Sequence, residues 1–351
     1  TLIHNGIIEN YKELQEELAA KGKEPISQTD TEIAAMVIDD CYTGDPEAAI
    51  RKAISKLVGA YGFCIIFSDI PETIYAVRNG SPLVAAHTDR GSIIASDMVA
   101  LVSHTKHYFV LKEGHIAKLT KDEIIVKDEN GEVYGPYIHH ISWDMASAKK
   151  GGYDYFMMKE IHEQPDVVRS ILQDKLKNEE DKIVLDDIKL TKEQLKNINR
   201  IQIIACGTSL HAGLVGKYVI EELTGIPVDV EPSSEYIYRT TIADEKTLVI
   251  GISQSGETAD TITAIKQVKE KGSLVAIITN RKESLLARLS DSLLHVNAGI
   301  EVSVAATKSY IAQLISLYLF AIYTAETLNK NLDKVREIKH ELMTLPAKLE
   351  G

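Results

Sequence analysis

The feature that most constrains the fold is a series of short apolar segments that alternates with helical segments in the second half of the chain. Strands that alternate with helices form parallel βαβ units, and strands that are apolar on both faces indicate a sheet covered by helices on both sides. The predicted strands span residues 200–205, 227–230, 247–252, 274–279 and 292–296. The predicted helices span residues 211–223, 234–239, 258–271, 285–288 and 305–328. This half is therefore predicted to be a doubly wound α/β domain.

The first stretch, up to about residue 142, has a different texture. Apolar residues at helical spacing predict helices over residues 10–21, 31–41 and 48–57. Short β-rich runs follow, separated by tight turns, over residues 63–68, 73–78, 83–87, 92–96, 108–111, 115–120 and 123–127. Residues 1–4 also have the character of a strand. Helices followed by closely spaced strands indicate a layered α+β domain with antiparallel sheet.

Between these halves, residues 143–182 are polar and helical in character. We expect a helix over residues 158–175, in which Pro165 either occupies the first turn or bends the helix. The last segment, residues 332–351, is predicted to be a further helix.

Composition and charge exclude some classes of function. The chain has 351 residues and a net charge of −12, which argues against a nucleic-acid-binding surface but not against an anionic small ligand. Its three cysteines are widely spaced and have neither metal-ligand nor disulfide-framework spacing, so a reducing cytoplasmic setting is expected. No membrane span is expected, because the most apolar helical stretch, residues 311–324, contains polar residues typical of a core helix.

Two of the predicted parallel strands end in loops of glycine and small hydroxyl residues. One strand is followed by Cys206-Gly207-Thr208-Ser209 and another by Ser253-Gln254-Ser255-Gly256-Glu257-Thr258. Ligands of open parallel sheets bind beyond the carboxyl ends of the strands, where the N–H groups of a helix N-terminus favour an anion and hydroxyls donate to phosphate oxygens. Ser and Thr are also common N-caps, so each loop alone has a purely structural alternative. Two such loops facing one crevice favour a bound sugar phosphate.

These loops, together with Val304-Ala305-Ala306-Thr307-Lys308, resemble the motifs of the first SIS (sugar isomerase) domain of the glutamine–fructose-6-phosphate amidotransferase family. The resemblance implies that Ser253, Gln254, Ser255 and Thr258 bind the phosphate of fructose 6-phosphate. It implies further that the sugar is held by Cys206, Gly207, Thr208 and Ser209. Cys206 also invites a nucleophilic interpretation, but a small thiol at the end of a buried strand is the simpler one, and the family does not use it as a nucleophile.

Val304 and Ala306 occupy ligand-lining positions of the same family. Ala306 departs from the family pattern, in which serine is usual. Its methyl group cannot make the hydrogen bond that a serine hydroxyl would make there, so only backbone or apolar contact is expected from this position.

The opening segment, His4-Asn5-Gly6-Ile7-Ile8-Glu9-Asn10, resembles the oxyanion-hole segment of class II glutamine amidotransferases. The resemblance implies that the Asn5 side chain and the Gly6 N–H stabilise the negative charge that develops on the glutamine amide. Ser27-Gln28-Thr29-Asp30-Thr31-Glu32 resembles the segment whose aspartate binds the α-amino group of glutamine, which implies that role for Asp30. On the residues alone, Asn5-Gly6 is equally compatible with a turn, and Asp30 with a helix cap.

The resemblance implies a partial Ntn-hydrolase-type αββα glutaminase domain over residues 1–145 and a linker with an interdomain helix over 146–182. A doubly wound parallel-sheet SIS domain would cover 183–330, and the start of a second SIS domain 331–351. The family's N-terminal cysteine nucleophile would precede residue 1, and the catalytic residues of the second SIS domain would follow residue 351. Thr1 lies on an expected internal strand and is not expected to replace the cysteine. The chain by itself is expected to be catalytically incomplete.

The implied activity is glutamine-dependent amination and isomerisation of fructose 6-phosphate to glucosamine 6-phosphate. The implied partners are glutamine, fructose 6-phosphate and a second copy in a homodimer, with no metal or organic cofactor, no nucleic acid and no membrane. Three alternatives remain open on the sequence. They are a related SIS deglycase or other aminosugar enzyme fused to a glutaminase-like domain, a non-catalytic regulatory SIS sugar-phosphate-binding protein, and a purely structural module.

Overall fold

The structure, a computed structural model, describes residues 1–141, 150–173, 175–176, 180 and 182–350. They form two compact units, Thr1–Ser147 and Ala148–Gly351. Each unit has its own hydrophobic core, so the two are described separately.

Over residues 1–141, the first unit contains three helices, a short 3-10 helix and nine strands. In chain order they are β1 (Leu2–Ile8), α1 (Tyr11–Ala19), α2 (Asp30–Cys41), α3 (Pro46–Ile54), β2 (Gly59–Phe67), β3 (Ile70–Asn79), β4 (Val84–Thr88), β5 (Gly91–Ala95), the 3-10 helix Met98–Ala100, β6 (His107–Val110), β7 (Ile116–Leu119), β8 (Ile124–Lys127) and β9 (His139–His140). The helices and strands predicted in this stretch are all found, with ends displaced by no more than about four residues.

Two antiparallel sheets make up most of this unit, with strand orders β1-β2-β3-β7-β8 and β5-β4-β6-β9. Side chains alternate across the first sheet, as the period of two requires. Phe63 and Tyr75 pack in the same core as residues of α1, α2 and α3, whereas Ala76 packs with Ala85 and Phe109 of the second sheet. The unit therefore has three layers, one of helices and two of sheet, which confirms the layered α+β prediction.

The second unit contains nine helices and five strands among its described residues. In chain order they are α4 (Phe156–His162), α5 (Gln164–Gln173), α6 (Lys192–Asn197), β10 (Arg200–Ala205), α7 (Gly207–Thr224), β11 (Val228–Pro232), α8 (Ser233–Tyr236), β12 (Thr247–Ile252), α9 (Ala259–Glu270), β13 (Leu274–Thr279), α10 (Leu285–Leu289), β14 (Ser292–His295), α11 (Lys308–Leu328) and α12 (Leu332–Glu350).

The five strands form one parallel sheet in the order β11-β10-β12-β13-β14. In this order the chain reverses its direction of travel between β10 and β12, which is the topological switch point of a doubly wound sheet. The residues of β10, β12 and β13 are almost entirely buried, because helices cover both faces. The doubly wound α/β prediction is therefore confirmed.

Some helix bounds differ from the sequence-based expectation. The single helix expected over residues 158–175 is two helices, α4 and α5, that meet at Glu163, and Pro165 occupies the first turn of α5. Of the polar segment 143–182, which contains the predicted linker, residues 143–149, 174, 177–179 and 181 lie outside the described residues. Helix α7 begins four residues earlier than expected, α11 begins three residues later, and α6 was not expected at all.

Helix α11 is the one described helix that is long and apolar enough by composition to cross a membrane. In this fold, 61 % of its most apolar window is buried inside the protein. Phe320 and Leu317 belong to the main core of the second unit. The expectation that this stretch is a core helix is confirmed.

Helix α12 packs on α5 and α11 through apolar residues such as Val335 and Leu342 and through one buried ion pair. The Lys339 ammonium, 1 % exposed, donates to the Glu326 carboxylate, whose other oxygen accepts the Ile183 N–H at 2.9 Å. The assignment of residues 331–351 to a further domain stays a prediction.

Removing one member of this pair is predicted to destabilise the second unit. Glu326→Ala removes a carboxylate that both pairs with the buried Lys339 ammonium and accepts the Ile183 N–H, so the free energy of unfolding should fall by about 3 kcal/mol in urea titrations. Glu337→Ala, which removes the exposed partner of Lys334, is the control and should change it by less than about 0.5 kcal/mol. Equal effects of the two substitutions would contradict the conclusion that the Lys339–Glu326 ion pair stabilises the second unit.

Candidate functional site

The register between β10 and β12 brings the two hydroxyl loops together. Ala205 pairs with Ile252, so Cys206 and Ser253 both begin loops at the same level of the sheet. Neighbouring strands lie about 4.8 Å apart, so the two loops flank one crevice at the switch point. The expectation that these loops share a crevice therefore agrees with the strand register.

The loop of residues 253–258, here called the phosphate loop, is folded by its own hydroxyls. The Ser253 Oγ accepts the Gly256 N–H at 3.0 Å and lies 2.8 Å from the Thr258 Oγ. The Ser255 Oγ accepts the Glu257 N–H at 3.1 Å. Ser253 is 3 % exposed, whereas Gln254, Ser255 and Thr258 are half-buried and face the edge of the sheet more openly.

Both the backbone conformation and the space available require glycine at position 256. Its φ is +66°, and a Cβ at this position would overlap the Ser284 side chain and lie 2.9 Å from the Thr279 Oγ. Glycine alone adopts this conformation without strain and leaves room for those neighbours. The glycine of this motif is therefore required by the contact with the start of α10.

Contacts with the residues at and after the end of β13 hold the phosphate loop in place. The Glu257 carboxylate accepts the Leu285 N–H at 2.8 Å, and the Asn280 N–H donates to the Gln254 carbonyl at 3.1 Å. The Thr279 Oγ donates to the same carbonyl at 3.3 Å, and the Ser284 Oγ caps α10. Thr279 and Asn280 lie at the carboxyl end of β13, so the rule that ligands bind beyond strand ends was a signal that could have found them.

Helices α7 and α9 begin at the crevice without side-chain caps. Cys206 and Thr258 are their N-cap residues, and neither side chain accepts a hydrogen bond from its own helix in the described structure. The first N–H groups of a helix have no partner within the helix, and they attract anions. The alternative interpretation was that the side chains of these loops merely cap the helices. It is wrong for Cys206 and Thr258, the two residues at the N-cap positions.

The other residues predicted to contact the sugar lie at the start of α7 and before α11. Gly207 and Thr208 are exposed, Ser209 is buried, and a Cβ on Gly207, whose φ is +56°, would meet open space. Val304 is fully exposed and Ala306 half-buried. Asn280 links their loop to the phosphate loop, because its side chain accepts the Ala298 N–H at 2.9 Å and donates to the Gly299 carbonyl at 2.7 Å.

In the first unit, Asn5 and Gly6 lie on β1 rather than in a turn. Asn5 pairs with Gly62 and Gly6 with Tyr61 in the antiparallel ladder to β2. Gly6 has a φ of +143°, and a Cβ there would overlap the Ala60 carbonyl and approach the Tyr61 Cα to 2.8 Å. The turn alternative is therefore wrong, and only glycine fits at position 6.

Asp30 connects the second glutaminase-like segment to the first. Its carboxylate accepts the Ile8 N–H at 2.8 Å, so the start of α2 is tied to the end of β1. The N-cap of α2 is Thr29, whose Oγ accepts the Glu32 N–H at 3.3 Å. The alternative that Asp30 is simply the N-cap is therefore wrong.

His4 stands next to Asp30. The His4 Nδ1 lies 3.0 Å from the Thr31 Oγ and 3.9 Å from the Asp30 carboxylate. Burial lowers the pKa of His4, an effect that the Asp30 charge only partly opposes. A neutral His4 leaves the Asp30 charge available to a cationic ligand.

The described residues contain no group of three or more His, Cys, Asp or Glu that could hold a metal ion. All three cysteines are free thiols.

Comparison with known proteins assigns both units to a class. Residues 1–103 match the family model of the glutamine amidotransferase domain, and residues 194–323 match that of the SIS domain. A solved structure described as the C-terminal domain of glucosamine-fructose-6-phosphate aminotransferase from Francisella tularensis is also similar. It is 37 % identical with a TM-score of 0.53, over 57 % of this chain and 56 % of that one. The chain thus joins a glutamine amidotransferase domain to a SIS domain.

Among curated proteins, the whole chain is similar to glutamine--fructose-6-phosphate aminotransferase [isomerizing] from several bacteria. The protein from Clostridium tetani is 44 % identical over 100 % of this chain and 58 % of its own length. The protein from Thermotoga maritima is 41 % identical over 100 % of this chain and 57 % of its own length. The chain belongs to the glutamine–fructose-6-phosphate aminotransferase family and spans a little under three-fifths of the length of these relatives.

Gly256→Ala is predicted to disrupt the phosphate loop. The positive φ costs about 1–2 kcal/mol for alanine, and overlap with Ser284 adds about 1–3 kcal/mol to the loss in free energy of unfolding. Gly272→Ala is the matched control, because Gly272 has a φ of +82° but nothing within 4 Å of a Cβ. Urea unfolding should show a larger loss in the free energy of unfolding for Gly256→Ala than for Gly272→Ala. Equal losses would show that the Ser284 side chain can move away without cost, and would contradict the prediction.

A half-buried histidine behind the site is predicted to make the second unit sensitive to acid. The His295 Nε2 lies 3.2 Å from the Asn280 carbonyl, and burial lowers the pKa of His295 below its usual 6.5. As pH falls below 6.5, the unfolded chain takes up this proton first, so stability falls until the folded pKa has been passed.

His295→Gln should reduce the loss of stability between about pH 7.5 and about pH 5.5, because glutamine is neutral throughout. Thermal unfolding at the two pH values measures the difference. A pH dependence of stability in His295→Gln equal to that of the wild type would contradict the conclusion that His295 makes the second unit sensitive to acid.

Proposed function

We propose that this chain performs the donor and acceptor binding steps of glutamine–fructose-6-phosphate aminotransferase. Water hydrolyses the glutamine amide to glutamate and ammonia, and ammonia then reacts with fructose 6-phosphate to give glucosamine 6-phosphate and water. The relatives named above carry this activity in their names.

The single observation that carries the proposal is the pairing of Ala205 with Ile252. This pairing places the start of α7 and the phosphate loop on either side of the switch point, where two uncapped helix N-termini favour a dianionic phosphate. In this proposal Ser253, Gln254, Ser255 and Thr258 form the phosphate-binding loop. The Ser255 and Thr258 hydroxyls and the Gln254 amide supply donors, and Ser253 mainly shapes the loop from within.

The sugar end would lie against two segments at the same edge of the sheet. The first is Cys206, Gly207, Thr208 and Ser209 at the start of α7. The second is Val304 and Ala306 before α11. Ala306 would contact the sugar only through its backbone and methyl group, since it has no hydroxyl.

In the first unit, Asn5 and Gly6 would supply two fixed donors to the oxyanion that forms from the glutamine amide. The rigid position of Gly6 against Ala60 supports this role, because such donors need a backbone that does not rearrange during the reaction. Asp30 would attract the α-ammonium group of glutamine. Its carboxylate keeps acceptor capacity beyond the bond from the Ile8 N–H.

A homodimer in the cytoplasm is the setting that we propose for this activity. The three free thiols support a reducing compartment. Glutamine and fructose 6-phosphate are the proposed substrates, and the composition does not require a cofactor.

Ser255→Ala tests the phosphate-loop assignment. The variant lacks one hydroxyl donor to a dianion, so the dissociation constant for fructose 6-phosphate should rise by about 10- to 100-fold in calorimetric titration. Ser290→Ala is the matched control, because the Ser290 Oγ donates only to the Ala287 carbonyl at the far end of α10 and should leave affinity unchanged. Unchanged affinity in Ser255→Ala would overturn the assignment.

Binding alone does not separate an enzyme from a sugar-phosphate sensor. Glutamine-dependent formation of glucosamine 6-phosphate by the full-length protein, measured in a coupled assay, distinguishes them. A full-length protein that binds fructose 6-phosphate but forms no amino sugar would overturn the enzyme proposal and leave the binding site standing.

A further inference from the structure

The loop of residues 301–307 contains the two predicted sugar contacts, the exposed Val304 and the half-buried Ala306. The base of this loop is held by two carboxylates, one of which is buried and comes from a distant part of the chain. Neither carboxylate belongs to any motif that the sequence analysis selected.

The distant carboxylate is that of Glu160 on α4, a residue only 2 % exposed. Its Oε1 accepts the Val302 N–H at 2.6 Å and the Ser303 N–H at 3.1 Å. Its Oε2 accepts the Ser303 hydroxyl and lies 3.3 Å from the Thr307 hydroxyl, which it shares with the Glu301 Oε1 at 3.1 Å. All four donors belong to the 301–307 loop, so Glu160 fixes the Val302–Ser303 arm and also contacts the Thr307 arm.

The local carboxylate is that of Glu301, which acts as the cap of α11. It accepts the N–H groups of Thr307 and Ser309, both at 3.0 Å, and the Ser309 hydroxyl. The N-cap residue itself, Thr307, makes no side-chain cap bond. A carboxylate at a helix N-terminus is stabilised by the helix dipole, so this arrangement fixes where α11 begins.

The segment that leads into this loop is tied to the phosphate loop. Asn280 holds residues 298 and 299 with its side chain and the Gln254 carbonyl with its backbone N–H. After the loop, α11 packs on α7, where Gly216 allows the Leu317 side chain to approach closely. The 301–307 loop therefore connects a segment tied to the phosphate loop with the helix that packs on α7.

A buried carboxylate is costly unless it is hydrogen-bonded. Glu160 meets that requirement only when the 301–307 loop keeps its present shape, because its donors in the described part of the chain all come from that loop. A loop with an exposed tip and no such anchor would sample many conformations and would lose more entropy when a ligand bound to it.

We propose that Glu160 is a positioning residue for the sugar end of the acceptor. It holds the 301–307 loop so that Val304 and Ala306 meet the sugar, while the phosphate loop is fixed by other contacts, those of Gly256, Glu257 and the Asn280 backbone N–H. The inference rests on the proposed function, and it predicts that Glu160 affects recognition of the sugar but not of the phosphate.

The test compares two probes, fructose 6-phosphate and inorganic phosphate, in calorimetric titrations of wild type and Glu160→Gln. The glutamine side chain has nearly the same volume as that of glutamate. However, one carboxylate oxygen is replaced by an NH₂ group, which cannot accept hydrogen bonds from the N–H and O–H donors of the 301–307 loop. Affinity for fructose 6-phosphate should fall by about tenfold, which corresponds to the loss of charged hydrogen bonds at the anchor. Affinity for inorganic phosphate should stay within about twofold of the wild type.

Glu163→Gln is the matched control. Glu163 ends the same helix, and its carboxylate binds Lys308 at 2.6 Å and Lys159 at 3.5 Å rather than residues 302–307. This variant should change neither affinity by more than about twofold. If Glu160→Gln is poorly folded, Ser303→Ala removes one donor to Glu160 without leaving a buried charge, and it should weaken fructose 6-phosphate alone by about threefold.

The experiment distinguishes a failure of the inference from a failure of the proposed function. Equal losses for both probes in Glu160→Gln would show a general structural role and overturn the inference, as would no loss for either. A wild-type chain that binds phosphate but not fructose 6-phosphate would instead overturn the proposed function.

Discussion

The parallel pairing of β10 with β12 is the constraint on which the second unit depends. These strands are adjacent in the sheet but separated in the chain by β11, so their helices leave on opposite faces. The pairing buries nearly every residue of both strands, and each strand leads at its carboxyl end into a loop of small polar residues. Two helix N-termini must therefore open onto one crevice, whatever the ligand is.

The phosphate loop shows how this crevice is kept ready for an anion. Hydroxyl-to-backbone bonds within the loop set its curvature, and bonds to the segments after β13 set its position. Gly256 is needed because the start of α10 occupies the space that a side chain would take. A loop that is already ordered spends little of the binding free energy on its own ordering, so the donors can be used for recognition.

How much of the fold and of the candidate site could be predicted from the sequence depends on how far apart in the chain the interacting residues lie. The bounds of β10, β12 and β13 could be predicted to the residue, because continuous apolar β-branched runs have few other stable arrangements. The start of α7 was missed, since Gly207, Thr208 and Ser209 have loop-like propensities that the switch-point geometry overrides. The break between α4 and α5 was only half anticipated, because Pro165 is compatible with both a first turn and a bend.

The side chains of the site were predictable where they belong to a strand-end motif, and not where they act over distance. Glu257 was within the motif, yet its bond to Leu285 joins residues 28 positions apart. Glu160 and the residues that it holds lie more than 140 positions apart, and no local pattern connects them. In the first unit, Asp30 and Ile8 were both within segments of family resemblance, but only the fold shows that one binds the other.

The Asp30 and Glu160 contacts have the same physical form. In each, a carboxylate on a helix accepts backbone N–H groups of a segment that bears proposed ligand contacts, β1 with Asn5 and Gly6 or the 301–307 loop with Val304 and Ala306. Backbone donors cannot be removed by substitution, and a charged acceptor strengthens each bond about twofold over a neutral one. Such an anchor fixes the main chain and leaves the side chains at the tip to vary, which is compatible with alanine in place of serine at position 306. Within each unit, the shape of the proposed site therefore depends on the anchoring carboxylate more than on the residues that would touch the substrate.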